Sequence, residues 1–288
     1  MARGTQVTAE VAAWSEQAGQ FRDWPGVGRV CRLGLATRGN TSLEPDDVEH
    51  AVGHGVNFLN WCRHADGLQQ WIRACGRRRE QVRVAVQFFA RTAGEARVEL
   101  AECLEELGTD YIDVLTYYYV ESQSEWEQIV SKGGAAEVIE AARGDGVVRS
   151  IGLTSHQRQL AALWAGTGRL DSLMIRYNAA HRGAEREVFP VTVGRECPVV
   201  AFTCLRWGGL IGSTPDDPTG FIPPSAAACY RWVLCHPAVT VALAAPDGRV
   251  ELDEVLSIIS PWQTMSASDH KSLSDHGDRV YRHGRSFP

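Results

Sequence analysis

Eight short apolar runs, separated by longer amphipathic stretches, constrain the fold of this chain more than any other feature. They are RVCRLGLA (29–36), VNFLNW (56–61), VRVAVQF (82–88), YIDVLTY (111–117), VVRSIGLT (147–154), SLMIRYN (172–178), VVAFTCL (199–205) and AVTVALAA (238–245). Each is of strand length and rich in β-branched or aromatic residues. The intervening stretches, such as PDDVEHAVGHG and EARVELAECLEELG, read as helices. Glu95 to Leu107 carries apolar residues at helical spacing, and Gly108 stops it. Strand alternating with helix predicts a parallel sheet. Eight such units in roughly 250 residues predict an α/β fold of the (β/α)8 TIM barrel type. A doubly wound open sheet is the competing arrangement, and it is disfavoured because no GxGxxG turn follows the first run.

Residues 1–27 read as an N-terminal extension with a short helix over Thr8 to Gln20, residues 28–262 as the barrel, and residues 263–288 as a polar, loosely packed tail. A net charge of -6 on 288 residues argues against a nucleic-acid groove. No run of about eighteen apolar residues predicts a membrane span. The N-terminal MARGTQVTAEVAAW lacks the apolar core of a secretory signal, so a cytoplasmic location is expected. The eight cysteines are scattered without metal-ligand spacing; they are expected to be mostly buried thiols, with no metal site and no disulfide framework. Lysine occurs only at Lys132 and Lys271, so a catalytic lysine has few places to be.

In a barrel of this kind the chemistry sits where strands end at the C-terminal face. The second run leads there into a dense polar stretch, GVNFLNWCRHADG, holding Asn60, Cys62, Arg63, His64 and Asp66.

Five segments in order resemble one known family, the aldo-keto reductases, over about residues 28 to 260. GVNFLNW resembles the strand that enters the family's DTAxxYG motif. ELGTDYIDVLTYY resembles LGxDYIDLxxxH, and GVVRSIGLTSH resembles GKVRxIGVSN. IRYNAAHRGAE resembles the QxxYN strand and its exit, and AFTCLRWGGLIG the AYSPLxxGxLxG loop.

The resemblance implies reduction of a carbonyl by NADPH, with a tyrosine as acid, a lysine–aspartate pair tuning it and a histidine orienting the substrate. All four positions are changed here. The aspartate position falls on Asn60, the tyrosine position on Ala65 beside His64, the lysine position on Gln87 and the histidine position on Tyr118. Without the lysine cation a buried aspartate would lack its partner, and a neutral Asn60–Gln87 pair avoids that cost. His64 and Tyr118 are the remaining proton donors; an imidazole (ordinary pKa ~6.5) donates more readily at neutral pH than an unassisted phenol (~10). Strand alternation puts Tyr118 on the face opposite Tyr117 and Tyr119, and Tyr118 is expected to point into the site.

For the cofactor, NADP, the resemblance implies a nicotinamide amide held at Thr154 and Ser155, while Met174 at the third position cannot make the family's hydrogen bonds. The resemblance also implies a pyrophosphate over the loop containing Leu205 and Gly208, Tyr177 beside the nicotinamide, and Arg249 as a clamp for the 2′-phosphate. Three readings follow. The first is a divergent enzyme reducing a C=O or C=N group of a small molecule. The second is a redox-neutral lyase, isomerase or cyclase using His64 and Tyr118, with Arg38, Arg63 or Arg206 to hold an anionic substrate. The third is a non-catalytic binding protein.

Overall fold

A computed structural model describes residues 19–37 and 41–284. Eight parallel strands close into a barrel: β3 (Leu33–Ala36), β4 (Phe58–Trp61), β5 (Arg83–Phe88), β6 (Ile112–Tyr117), β7 (Val148–Ser155), β8 (Ser172–Arg176), β9 (Val199–Phe202) and β10 (Val239–Ala244), with β10 pairing back onto β3. Two shorter strands, β1 (Phe21–Trp24) and β2 (Gly28–Cys31), precede them as an antiparallel hairpin. Helices α1 (Pro45–Gly53), α2 (Gly67–Ala74), α3 (Ala93–Leu107), α4 (Gln123–Val130), α5 (Ala135–Gly144) and α6 (Arg158–Gly166) follow in the first part of the chain. The second part adds α7 (Ala184–Glu187), α8 (Phe189–Gly194), α9 (Ala226–Cys235), α10 (Gly248–Leu256) and α11 (Ala267–His283).

Each of the eight runs supplies one barrel strand, because a strand covered by helices outside and by its neighbours inside must be apolar on both faces. Every residue of β4, β6 and β10 is buried accordingly. Asp113 on β6 is the fully buried charge in that wall, and it is paired with Arg79 at 2.7 Å and Arg149 at 2.9 Å. Helix α3 begins with a reciprocal capping box between Thr92 and Glu95 and ends at Gly108 in the left-handed region (φ 61°), where the sequence places its stop.

The first run is not one strand. It breaks at Arg32, whose buried guanidinium donates to the carbonyls of Leu234 (2.6 Å) and Val239 (3.0 Å). Residues before the break belong to the hairpin, not to the barrel. The stretch expected as an extension therefore has a structural task. Trp24 is 1% exposed, lies against Phe58 with ring centres 5.6 Å apart, and donates from Nε1 to Ser150 Oγ at 3.3 Å. Together with Val27 and Val30 it joins the apolar cluster inside the barrel. Gly34 is required there, since a Cβ would come within 2.7 Å of Val241 Cγ1. The helix expected over Thr8 to Gln20 falls almost wholly outside the described residues; Gly19 and Gln20 are not helical.

The tail is also corrected. Residues 267–283 form α11, started by Ser266 Oγ accepting from the Asp269 amide (3.1 Å), with Leu273, Ser274, His276, Gly277 and Val280 buried. These positions recur at helical spacing, but only two are apolar, so polarity concealed the face. The helix is held to the barrel by Trp232 Nε1 donating to Ser274 Oγ (2.9 Å) and by Asp217, which receives Arg279 Nε at 2.6 Å and faces His276 Nδ1 at 3.3 Å. Burial alone would raise the Asp217 carboxyl, but the Thr214 amide and the Arg279 guanidinium outweigh it and hold it at about 2. The stability this gives is present above the ordinary carboxylate pKa (~3.9) and is lost as pH falls toward 2. Asp217→Asn is expected to cost about 1–3 kcal/mol and to speed amide exchange along α11, read by denaturant melts and hydrogen exchange. Unchanged exchange in α11 would show that this contact does not anchor it.

Among the described residues no helix is long and apolar enough to cross a membrane.

Candidate active site

The mouth of the barrel opens into a cavity of about 630 Å³, within the roughly 300–1,000 Å³ usual for a small-molecule site. Alternation along β4 sends Phe58 into the barrel interior, Leu59 and Trp61 outward into the helix-facing core, and Asn60 upward into the cavity. The polar stretch that follows then divides its tasks. Trp61 Nε1 donates to the His64 carbonyl at 2.7 Å and fixes the loop. Asp66 accepts from the Thr37 hydroxyl and caps α2 by accepting the Gln69 amide at 2.9 Å. Arg63, with φ 65°, turns away from the mouth toward Cys103 and the carboxylates Glu99, Glu102 and Glu106 on α3. Asn60, Cys62 and His64 are left on the cavity wall, His64 at its exposed rim.

Gln87, on β5, faces the same cavity and is 8% exposed. Neutral amides thus stand on the floor at Asn60 and Gln87. Asn60 Nδ2 donates to Cys62 Sγ at 3.3 Å, while its Oδ1 is buried and meets no partner among the described residues. Neither lysine is near: Lys271 pairs with Asp275 on α11, and Lys132 lies in the exposed turn between α4 and α5. Of the arginines offered for an anion, Arg38 lies outside the described residues. Arg63 is engaged as above. Arg206 lies against Gly284 at the end of α11.

Tyr118 reaches the cavity as expected, but so does Tyr119. The expected alternation fails because β6 ends at Tyr117, and Tyr119 takes a left-handed backbone (φ 44°), costly for a bulky residue. An aromatic run results: Phe89 and Tyr118 rings lie 5.0 Å apart, Tyr118 and Tyr119 4.0 Å, and Tyr119 and Phe202 6.4 Å. Behind it His156 stacks on Tyr119 at 4.5 Å, its Nδ1 3.2 Å from Glu121. Burial and Arg176 outweigh Glu121 there and lower the His156 pKa.

The positions offered for a dinucleotide separate into two groups. Thr154, Met174, Leu205 and Gly208 line the cavity. Thr154 Oγ1 is buried without a partner among the described residues. The loop after β9 turns left-handed at Thr203, Arg206, Trp207 and Gly208, and a Cβ on Gly208 would meet open space. Three positions do not face the cavity. Ser155, one residue past the inward Thr154, accepts the Gln157 amide at 3.0 Å. Tyr177 is buried between Phe189 and Trp232, donating to Glu185 at 2.8 Å. Arg249 pairs with Asp47 on α1 at 2.7 Å, while Asp247 and Glu251, at the start of α10, line the cavity. Sequence reasoning turned Tyr119 to the opposite face and passed over Phe202; both stand at or just beyond strand ends, which is the signal that marks them.

Comparisons with known proteins agree with the barrel fold. Over 171 residues the chain is 24% identical to the NADH-specific methylglyoxal reductase of Escherichia coli (strain K12), covering 59% of this chain and 46% of that protein. Over 121 residues it is 29% identical to the D-threo-aldose 1-dehydrogenase of a Pseudomonas species, covering 41% of this chain and 36% of that one. The chain thus spans less than half the length of these curated relatives. Among solved structures, an aldo-keto reductase of Bacillus halodurans in its holo form superposes with a TM-score of 0.70 at 18% identity, covering 89% of this chain and 96% of that one. One from Klebsiella pneumoniae in complex with NADPH gives 0.70 at 17%, covering 90% and 95%. The model of the aldo/keto reductase family matches residues 33–221. That match starts on the first residue of β3 and runs past β9, following the barrel itself through more than half of the chain, and the chain belongs to the aldo/keto reductase family.

Proposed function

We propose that this chain reduces a small organic molecule with hydride from NADPH or NADH, and that its mouth suits a C=N group in iminium form better than a ketone. The observation that carries this reading is the neutral floor: amides at Asn60 and Gln87, with no lysine or arginine among the described residues that line the cavity. Ketone reduction develops negative charge on oxygen and needs a proton. Reduction of an iminium carbon consumes the substrate's own positive charge and needs none.

The residues present fit part of a nicotinamide dinucleotide. Thr154 Oγ1, which meets no partner among the described residues, suits a carboxamide, and the left-handed turn at residues 206–208 suits the close approach of a pyrophosphate. When bound, the reduced nicotinamide supplies the hydride. Thr154 and the loop position it, and the aromatic wall excludes water. His64 and Tyr118 are the proton donors for any carbonyl substrate, and Asn60 and Gln87 orient the reacting group.

Fluorescence titration with each dinucleotide tests the reading. Binding of one or both at micromolar to millimolar concentration is expected. No binding of either at millimolar concentration would remove it and favour redox-neutral acid–base chemistry by His64 and Tyr118. NADPH is expected to bind no tighter than NADH, because the cavity wall presents Asp247 and Glu251 while Arg249 is committed to Asp47. A Kd for NADPH about tenfold below that for NADH, the mark of a cation on the 2′-phosphate, would contradict this.

A further inference from the structure

We propose that the barrel mouth recognises an organic cation, an iminium or ammonium group carried on an apolar ring, through the aromatic run Phe89–Tyr118–Tyr119–Phe202 and the carboxylates Asp247 and Glu251. This deepens the reading above and rests on it for the identity of the reacting group.

Ring faces carry negative quadrupole potential, and a desolvated cation over them is held without any counter-charge in contact. The four rings are contiguous, with centres 4.0 to 6.4 Å apart and planes inclined by 40° to 60°, so they present differently oriented faces to one cavity rather than a single flat stack. The run depends on the left-handed backbone of Tyr119, which brings a residue from the end of β6 against Phe202 at the end of β9. Strain of this kind persists where surrounding structure enforces it.

The charges around the cavity have the matching sign. Asp247 and Glu251 line it, and Asp247 is positioned by accepting the Ser42 amide at 2.9 Å. Among the described residues no arginine lines the cavity: Arg63 lies against the acidic face of α3, Arg91 donates to the Tyr118 carbonyl at 2.7 Å, Arg176 lies over the Trp207 ring at 5.6 Å, Arg206 beside Gly284 and Arg249 on Asp47. The buried floor supplies an independent mark of the ligand. Asn60 Oδ1 is a hydrogen-bond acceptor without a partner among the described residues, on a side chain 1% exposed, at the wall of this cavity. An N–H⁺ group is its natural complement.

The test compares two probes of the same shape that differ in charge, (3-hydroxyphenyl)trimethylammonium and 3-tert-butylphenol, by calorimetric titration of the full chain at low salt and without dinucleotide. The cation is expected to bind at least about 10-fold tighter, in the range that desolvated cation–π contacts provide. The preference is expected to fall toward parity in Tyr119→Leu and to shrink in Glu251→Gln, with circular dichroism checking that both variants fold. Equal or tighter binding of the neutral phenol overturns the proposal, as does binding of neither probe, or a preference left intact in both variants. A cation preference in a chain that binds no dinucleotide would sink the reductase reading and keep this one. Dinucleotide binding without cation preference would do the reverse.

Discussion

Asn60→Asp is expected to destabilise the fold by about 3 kcal/mol or more at pH 7, and Gln87→Lys by a similar amount, while the double variant loses less than the sum. Each single change places a charge on a wall position that is nearly closed to water, Asn60 being 1% and Gln87 8% exposed. At Asn60 the new carboxylate would also lose the bond from Nδ2 to Cys62 Sγ. Burial raises a carboxyl pKa, so the Asn60→Asp penalty is present at neutral pH, fades as pH falls toward the ordinary value of about 3.9 and is gone below it, where both folded and unfolded chains hold the proton. For Gln87→Lys the sign is reversed: burial lowers the amine pKa, and the penalty fades as pH rises toward about 10 and is gone above it. Together the two charges can form a pair between neighbouring strands. A coupling of at least about 1 kcal/mol in a double-mutant cycle from urea melts would show that the two side chains meet in the mouth. Additive losses would show that they do not, and would remove the argument that the two neutral residues replaced a pair.

That argument was open to the sequence because a strand fixes its residues twice, once by the apolar run that marks it and once by the period of two that assigns each side chain a face. Asn60, Gln87 and Thr154 stand where that logic places them. The same period shows why Ser155 does not face the cavity: it is the neighbour of an inward residue. Where the backbone leaves the strand, the logic ends. Tyr119 enters the mouth through a left-handed residue, and no local pattern in three consecutive tyrosines announces it. Arg249 and Tyr177 have the right chemistry beside the right strands, but Arg249 is directed by Asp47, 202 residues away in the sequence, and Tyr177 by Glu185 in the helix that follows its strand. The first run hid its break because Arg32 directs one guanidinium nitrogen to two carbonyls far along the chain, Leu234 and Val239. Long-range polar contacts account for Arg249 and Arg32, and a local backbone reversal accounts for Tyr119.

His64→Ala is expected to separate two classes of substrate. With an aldehyde or ketone, turnover should fall about 10²-fold, the usual contribution of a general acid. With a preformed cyclic iminium it should change by less than about threefold, because hydride addition there leaves a neutral amine and no oxyanion to protonate. The geometry supports the split. His64 stands at the exposed rim of the cavity that Tyr118 also lines, and its position is fixed through its own carbonyl by Trp61 Nε1 rather than through the ring. Removal of the imidazole therefore leaves the loop anchor, the Asp66 cap and the Arg63 contacts in place, and the melting temperature should stay within a few degrees of the parent. The readout is kcat for each substrate with the same dinucleotide. A 10²-fold loss on both substrates would assign His64 to binding or loop placement instead of proton transfer. Undiminished carbonyl turnover would remove it from the chemistry and leave the tyrosines of the aromatic wall as the proton source.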